Sequence, residues 1–414
     1  MNKKKYVNRN YLTTTRIIAL GFLITVIVGT ILLSLPIASA NGTWTDLLTA
    51  AFTSTTSVCV TGLVVVDTFS YWSLFGKGVI LILIQIGGLG IVSIITLFML
   101  LFRMKITLKS TMLLQDAFNL NSKQGLLKFT IKVIKGTFLI EGIGAFIYSF
   151  YYCREYGLLK GIWFSVFHAV SAFCNAGLDI MGADSLIPYH SNLLMMLNTS
   201  FLIIMGGIGF IVWWDTVEAF RRIRTKKCSI RSAWNGVHLQ TKIAIFMTLL
   251  LLIGGTVVIY FLERSNPDTL GNLSEKDRIL NAFFQSVTLR TAGFAAVPQA
   301  ALRPVTAFFG ALLMMIGGSP VGTAGGMKTV TIAVIFFTFA AMIRNHEDTE
   351  VFKRNIPVSV VKKAVAIVFL SMSTIFIMTI LLMATNDVNL LDALFEVASA
   401  VCTVGLSRNL TPVL

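Results

Sequence analysis

The stretch Asp46-Leu47-Leu48-Thr49-Ala50-Ala51-Phe52-Thr53-Ser54-Thr55-Thr56-Ser57-Val58-Cys59-Val60-Thr61-Gly62-Leu63 decides the fold, because it recurs three more times. The copies run from Gly161 to Leu178, from Asp277 to Phe294 and from Asn389 to Leu406. Aligned on Gly62, Gly177, Gly293 and Gly405, each has a phenylalanine ten residues earlier, at Phe52, Phe167, Phe283 and Phe395. Asp46, Gly161, Asp277 and Asn389 are all residue types that cap helix N-termini. Each copy therefore reads as a capped helix of about three turns that stops in a short glycine-ended segment. The glycines lie 115, 116 and 112 residues apart, so the chain is four versions of one unit.

The composition says what surrounds these units. With 55% hydrophobic and 13% charged residues and a mean hydropathy of +0.80, the chain lies outside the range of soluble domains and reads as a membrane protein. Nearly charge-free runs occupy Ile17 to Ala38, Gly78 to Phe102, Gly136 to Cys153, Asn192 to Trp214, Ile243 to Leu262, Val305 to Ile343 and Ala364 to Thr385. Most of them reach the roughly 20 residues an apolar helix needs to cross a bilayer. The repeated capped helices are shorter and sit between such runs, as re-entrant half-helices do.

Lys3, Lys4, Lys5, Arg9 and Arg16 precede the first apolar run, which ends at Ala38-Ser39-Ala40 like a signal peptide at its cleavage site. The run exceeds the roughly 7 to 15 apolar residues of a signal peptide, and its removal would delete the first helix of unit one. Retained, it anchors the N-terminus in the cytosol. Basic residues cluster in alternate connections, from Arg103 to Lys135, from Arg221 to Lys242 and from Arg344 to Lys363. With the N-terminal five, 24 of the 34 Lys and Arg fall on one side, which marks that side as cytoplasmic. Orientation and lipid headgroup contact account for most of the +15 net charge without nucleic acid. The expected fold class is an all-α membrane protein of four tandem helix, re-entrant loop and helix units around a central pore. The units are placed at residues 1–110, 111–228, 229–350 and 351–414, with the second helix of unit four absent from the chain.

A half-helix directs the negative end of its dipole toward the bilayer centre, where a dehydrated cation needs compensation. The short return can then line a pore with backbone carbonyls, the ligands that replace the hydration shell of an ion such as potassium. Non-helical backbone at this depth is tolerated only inside protein or along a water-filled path. Four such segments around an axis make a ring, so one chain imitates a tetrameric channel.

The segments Ser57 to Leu63, Ala172 to Leu178, Thr288 to Phe294 and Ala400 to Leu406 resemble the four pore loops of the Ktr/Trk/HKT potassium transporter superfamily. The resemblance covers essentially the whole chain and is closest to the bacterial KtrB-type membrane subunit. It implies a potassium filter at the backbone carbonyls of Val60, Thr61, Gly62, Asn175, Ala176, Gly177, Thr291, Ala292, Gly293, Thr403, Val404 and Gly405. Glycine in all four loops implies potassium rather than sodium as the transported ion. Further implications are a homodimer in the plasma membrane, a cytosolic RCK-type nucleotide-binding ring as partner, no covalent cofactor, and sodium as a candidate activator. The runner-up to a pore is a sodium- or proton-coupled potassium carrier.

Other residues need a plainer reading. Cys59, Cys174 and Cys402 align three residues before the glycines, but Arg290 fills the fourth place and no paired Cys/His spacing accompanies them. They read as packing behind the carbonyl layer. Cys153 and Cys228 have no evident partner, so five cysteines give no disulfide framework. Arg290 at membrane depth requires pairing; Glu396 is the first expected partner and Glu141 the second. His168 reads as a packed, hydrogen-bonded residue. Gly87-Gly88-Leu89-Gly90 and Gly206-Gly207-Ile208-Gly209 read as close-packing sites. In unit three the series Gly317, Gly318, Ser319, Pro320, Gly322, Thr323, Gly325 and Gly326, ending at Lys328, holds too many breakers for a helix. The resemblance implies that this segment is an intramembrane gate loop. An enzyme is not expected: no His-Glu-x-x-His or Gly-x-Ser-x-Gly occurs, and the four histidines are scattered.

Overall fold

A computed structural model describes residues 14–101, 115, 126–182, 184–226, 228–346, 348–352 and 354–413. Four long helices open the four units: α1 (Thr14–Ser34), then Leu126–Tyr156, Leu239–Glu263 and Val358–Thr385. All four are long and apolar enough to span a bilayer. Each is followed by a short helix, and in chain order the set becomes α2 (Leu47–Val58), α3 (Leu74–Leu89), α4 (Ile91–Leu101), α5 (Leu126–Tyr156), α6 (Leu158–Cys174), α7 (Leu193–Gly207), α8 (Phe210–Lys226), α9 (Leu239–Glu263), α10 (Glu275–Thr288), α11 (Pro304–Met315), α12 (Thr329–Ile343), α13 (Val358–Thr385) and α14 (Leu390–Val401). The only strands among the described residues are a two-residue antiparallel ribbon, Glu350–Val351 with Arg354–Asn355. Lys3, Lys4, Lys5 and Arg9, and the basic residues from Arg103 to Lys123, lie outside the described residues.

The packing repeats with the sequence. Each long helix packs on the short helix that follows it, α1 on α2, α5 on α6, α9 on α10 and α13 on α14. Each of α6, α10 and α14 also packs on the second helix of the preceding unit, α3, α7 and α11. The short helices are consequently the buried ones: Phe167 and Phe395, two of the repeated phenylalanines, are fully buried. The long helices turn large apolar side chains outward, as at Ile24, Ile31, Phe369 and Phe376, where a lipid phase would solvate them.

Two of the four expected caps hold. Asp46 accepts from Leu48 N and Thr49 N, and Asn389 from Asp392 N. The other two are corrected. Helix α10 is capped by Ser274, whose hydroxyl takes Asp277 N and donates back to the Asp277 carboxylate, a reciprocal box that starts the helix earlier. Helix α6 begins after Gly157, and Gly161 lies inside it where a Cβ would strike the backbone of Cys153.

The second helices depart from straight spans. Helices α3 and α4 meet at 102°, α7 and α8 at 96°, and the run from Val305 to Ile343 is interrupted between α11 and α12. Gly90 (φ 79°) and Gly209 (φ 96°) occupy the bends, so the two Gly-Gly-x-Gly motifs break helices. Close approach is also present, since a Cβ at Gly88 would lie 2.5 Å from Cys174 Sγ.

Candidate functional site

The four short helices deliver their C-termini to four loops of one conformation. Val60, Asn175, Thr291 and Thr403, each two residues before a repeat glycine, have φ of 56°, 59°, 67° and 53°. The glycines follow at 90°, 66°, 84° and 94°. Three of the four leading residues are β-branched, for which left-handed backbone is unfavourable, so surrounding structure must hold them there. Hydroxyls supply part of that hold. Thr56 Oγ1 accepts from Gly62 N at 2.9 Å, and Ser399 Oγ from Gly405 N at 3.1 Å. Ser171 Oγ donates to the Leu178 carbonyl, and Thr288 Oγ1 to the Phe294 carbonyl.

The loops close into a ring. A Cβ at Gly62 would strike the Ala176 carbonyl oxygen; one at Gly177 would lie 2.7 Å from Ala292 O, at Gly293 2.6 Å from Val404 O, and at Gly405 2.5 Å from Thr61 O. Each glycine thus abuts the residue preceding the glycine of another unit, and the order one, two, three, four returns to one. All four candidate triplets come together here. A backbone this close leaves no volume for any side chain at the glycines.

One mouth of the ring opens into a cavity of about 640 Å³ that is lined by all four glycines. Its acids come from units one and two: Asp67, Asp179 and Asp184. Asp67 caps a short helix through Phe69 N and Ser70 N. Asp179, in the loop beyond the ring and outside the spanning helices, accepts from Ser185 Oγ at 2.6 Å and from Met181 N at 3.2 Å. Burial pushes its carboxyl up from 3.8 to about 6, against those hydrogen bonds.

The glycine-rich segment between α11 and α12 lies against the other residues of the same loops. Thr323 Oγ1 bonds Phe173 O and Asn175 Oδ1, both at 3.0 Å, and Gly325 N donates to Thr291 Oγ1 at 3.1 Å. Ser319 N and Thr323 N donate to the carbonyls of Gly207 and Gly206, and Phe210 N to Val321 O, so the unit-two bend is its seat. Gly317 N bonds Met327 O, and a Cβ at Gly318 would collide with the Ala324 side chain, which keeps the segment folded on itself. Lys328 caps this fold by donating to Ala324 O at 2.6 Å. The segment is non-helical, as its composition requires, and it is tethered rather than loose.

Other expected partners differ. Glu396 accepts from Ser407 Oγ and Thr411 Oγ1, and Glu141 from Gln85 Nε2, so neither pairs with Arg290. Arg290 instead donates through Nη2 to Gly317 O at 3.2 Å. Cys174 and Cys402 are buried, whereas Cys59 is exposed and does not pack behind its loop. His168 is buried with Nδ1 on Phe164 O at 2.9 Å. Sequence reasoning missed the loop hydroxyls and, although it placed Thr323 in the gate segment, the bonds of Thr323 to Phe173 O and Asn175 Oδ1. Thr56, Ser171 and Ser399 share one register six residues before their glycines, a signal present in the alignment; unit three shifts its hydroxyl to Thr288.

The description "cation transport protein" (TrkH) belongs to a family model that matches residues 3–409. The chain belongs to this TrkH cation transport family. Among curated TrkH-family relatives, the potassium/sodium uptake protein NtpJ of Enterococcus hirae is 38% identical over 408 residues, 98% of this chain and 87% of that one. The Ktr system potassium uptake protein B of Bacillus subtilis is 37% identical over 413 residues, covering 100% of this chain and 89% of the relative. The crystal structure of the potassium transporter TrkH from Vibrio parahaemolyticus shares the fold, with a TM-score of 0.69 at 17% identity over 98% of this chain and 78% of that one. The chain is accordingly an all-α, multi-pass membrane protein of a cation transporter family and not an enzyme.

Proposed function

We propose that this TrkH-family chain is the potassium-translocating pore subunit of an uptake system. The observation that carries the reading is the closed ring of four left-handed, glycine-ended loops, each at the C-terminal end of a short helix. In this arrangement the carbonyls of the four triplets replace the hydration shell of a potassium ion, and four helix dipoles place their negative ends around it. The acidic cavity is the outer mouth, where Asp67, Asp179 and Asp184 raise the local cation concentration. The segment from Gly317 to Lys328 is the inner gate, seated against the loops of units two and three. The basic connections then face the cytosol with the N-terminus, and a homodimer docks there on an RCK-type nucleotide-binding ring.

The test is potassium flux into proteoliposomes holding the purified chain, measured against sodium at equal driving force. The reading expects flux with potassium well ahead of sodium; equal flux for both ions, or none with and without a ring partner, would refute it. The name of the Enterococcus relative, a potassium/sodium uptake protein, favours sodium coupling as a second reading. Potassium flux that stops when sodium is withdrawn from both sides would select it.

A further inference from the structure

Three cations from three separate elements converge on one turn. The short helix Ile230–Asn235, between α8 and α9, ends at the Asn235 carbonyl. Lys242 Nζ, in the first turn of α9, donates to that oxygen at 3.5 Å. Arg354 Nη2, from the two-stranded ribbon, donates to the same oxygen at 3.4 Å. Sharing one acceptor, the two charges stand close enough to repel each other. Arg222 Nη1, from α8, reaches the next residue: a Cβ at Gly236 would lie 2.7 Å from it.

Lys242 and Arg354 have no carboxylate partner among the described residues, and Lys242 is only 5% exposed, although buried charges are ordinarily paired. The acids of α8 are engaged elsewhere: Glu218 takes Arg222 Nε at 3.4 Å, and Asp215 takes His238 Nδ1 and Thr241 Oγ1. Glu350 of the ribbon stands opposite Asn355, on the face away from Arg354. A helix C-terminus attracts cations, but it carries about half an elementary charge at most, against three unit charges here. The turn therefore calls for an anion from outside the chain.

The same turn carries an apolar face. Ile230 and Trp234, one helical turn apart, are 76% and 41% exposed, and Lys242 Nζ lies 5.8 Å from the Trp234 ring centre. Helix α9 is long and apolar enough to span the bilayer, so its first turn lies at the level of the headgroups, where tryptophan is enriched. A ligand with a negative charge, several acceptor oxygens and acyl chains beside them meets all these conditions. A free phosphate would leave Ile230 and Trp234 bare.

We propose that the turn at Asn235 and Gly236 binds the phosphate of one anionic phospholipid between Arg222, Lys242 and Arg354, with its acyl chains against Ile230 and Trp234. The lipid ties α8, α9 and the ribbon together at the end of the helix bundle. The site rests on the membrane reading of α9 and is independent of what the chain transports.

Trp234 is the reporter. The purified full chain is reconstituted in phosphatidylcholine vesicles holding increasing fractions of dibrominated phosphatidylglycerol or dibrominated phosphatidylcholine. Trp234 emission is taken as the difference from Trp234→Phe, and bromine quenches it only on contact. Each Lys or Arg near an anionic surface strengthens lipid binding about fivefold. Quenching should therefore favour phosphatidylglycerol over phosphatidylcholine by about tenfold or more, and Arg354→Gln should lower that preference about fivefold. Arg224→Gln controls for surface charge alone: Arg224 lies two residues from Arg222, on the far side of α8, and its loss should leave the preference unchanged. Equal quenching by the two lipids overturns the proposal, as does an equal effect of the two arginine variants. A preference abolished by added inorganic phosphate would mark a free-anion site and overturn the lipid assignment.

Discussion

Replacing Gly62 by serine places two separable loads on the ring. The first is conformational: φ is 90° at this position, and a residue with a Cβ held in sparsely populated backbone costs about 1–3 kcal/mol. The second is steric, since the new Cβ strikes the Ala176 carbonyl oxygen and lies 3.3 Å from Gly177 Cα. Both contacts are backbone, and neither can rotate away as the end of a side chain does. The Ala176 carbonyl has to retreat by about 1 Å to reach ordinary van der Waals separation, which removes one oxygen from the circle that replaces the hydration shell. At about 1.4 kcal/mol per factor of ten, the conformational load alone shifts the population of the closed ring by roughly 5- to 150-fold. The expected result is a sodium-to-potassium permeability ratio raised by about tenfold, with total potassium flux reduced, read from reversal potentials under bi-ionic conditions. Gly42 supplies the control. It also has positive φ, 68°, but a Cβ there meets nothing within 4 Å, so Gly42→Ser should lower the melting temperature without changing selectivity. An unchanged permeability ratio in monodisperse Gly62→Ser protein would refute the argument that this glycine closes the ring.

Thr323→Val removes the hydroxyl that bonds Phe173 O and Asn175 Oδ1; the gate segment should lose about 1–2 kcal/mol of its seating, and flux should rise severalfold with selectivity retained, whereas unchanged flux would remove the latch. Lys328→Met should act in the same direction by less, checked in the same assay, because its charge is already folded back on Ala324 O. Asp179, with its carboxyl raised to about 6, is mostly ionised at pH 7 and gains its proton as pH falls toward 5, so uptake at low external potassium should weaken across that window. In Asp179→Asn the uptake should be weak and flat over the same range. Neutralising Arg221, Arg222 and Arg224 together should weaken the affinity of a cytosolic ring in a salt-dependent manner and leave the permeability ratio unchanged, measured by pull-down and by reversal potential.

The repeated glycine and its phenylalanine carried the architecture, because a fourfold periodicity in the chain has to become a fourfold arrangement if each unit packs like the last. Left-handed φ at Gly62, Gly177, Gly293 and Gly405 follows from residue type. What the periodicity cannot carry is direction. Glu396 and Arg290 are complementary in charge, yet Glu396 sits on the side of α14 that meets Ser407 and Thr411, and a short helix buried on most of its circumference gives no pattern to reveal that. The bends at Gly90 and Gly209 were illegible for a similar reason: an apolar run has the same length and composition whether it continues straight or turns. Aligning on glycines also fixed the helix starts by offset alone, which overlooked the Ser274 box with Asp277.

The ring seats Gly405 against Thr61, so the first and last loops, 343 residues apart along the chain, are immediate neighbours. This has a consequence for how the protein is made. Val60 cannot rest at φ 56° by its own preference, and its loop is walled on one side by a unit that leaves the ribosome after the other three. Loop one must therefore wait, slack, through the synthesis of units two and three, and it takes its final backbone only as unit four docks. Contacts of such long sequence separation are slow to form, so closure of the ring has to follow the synthesis of all four units. Lesions in α14 should accordingly register as misfolding of loop one.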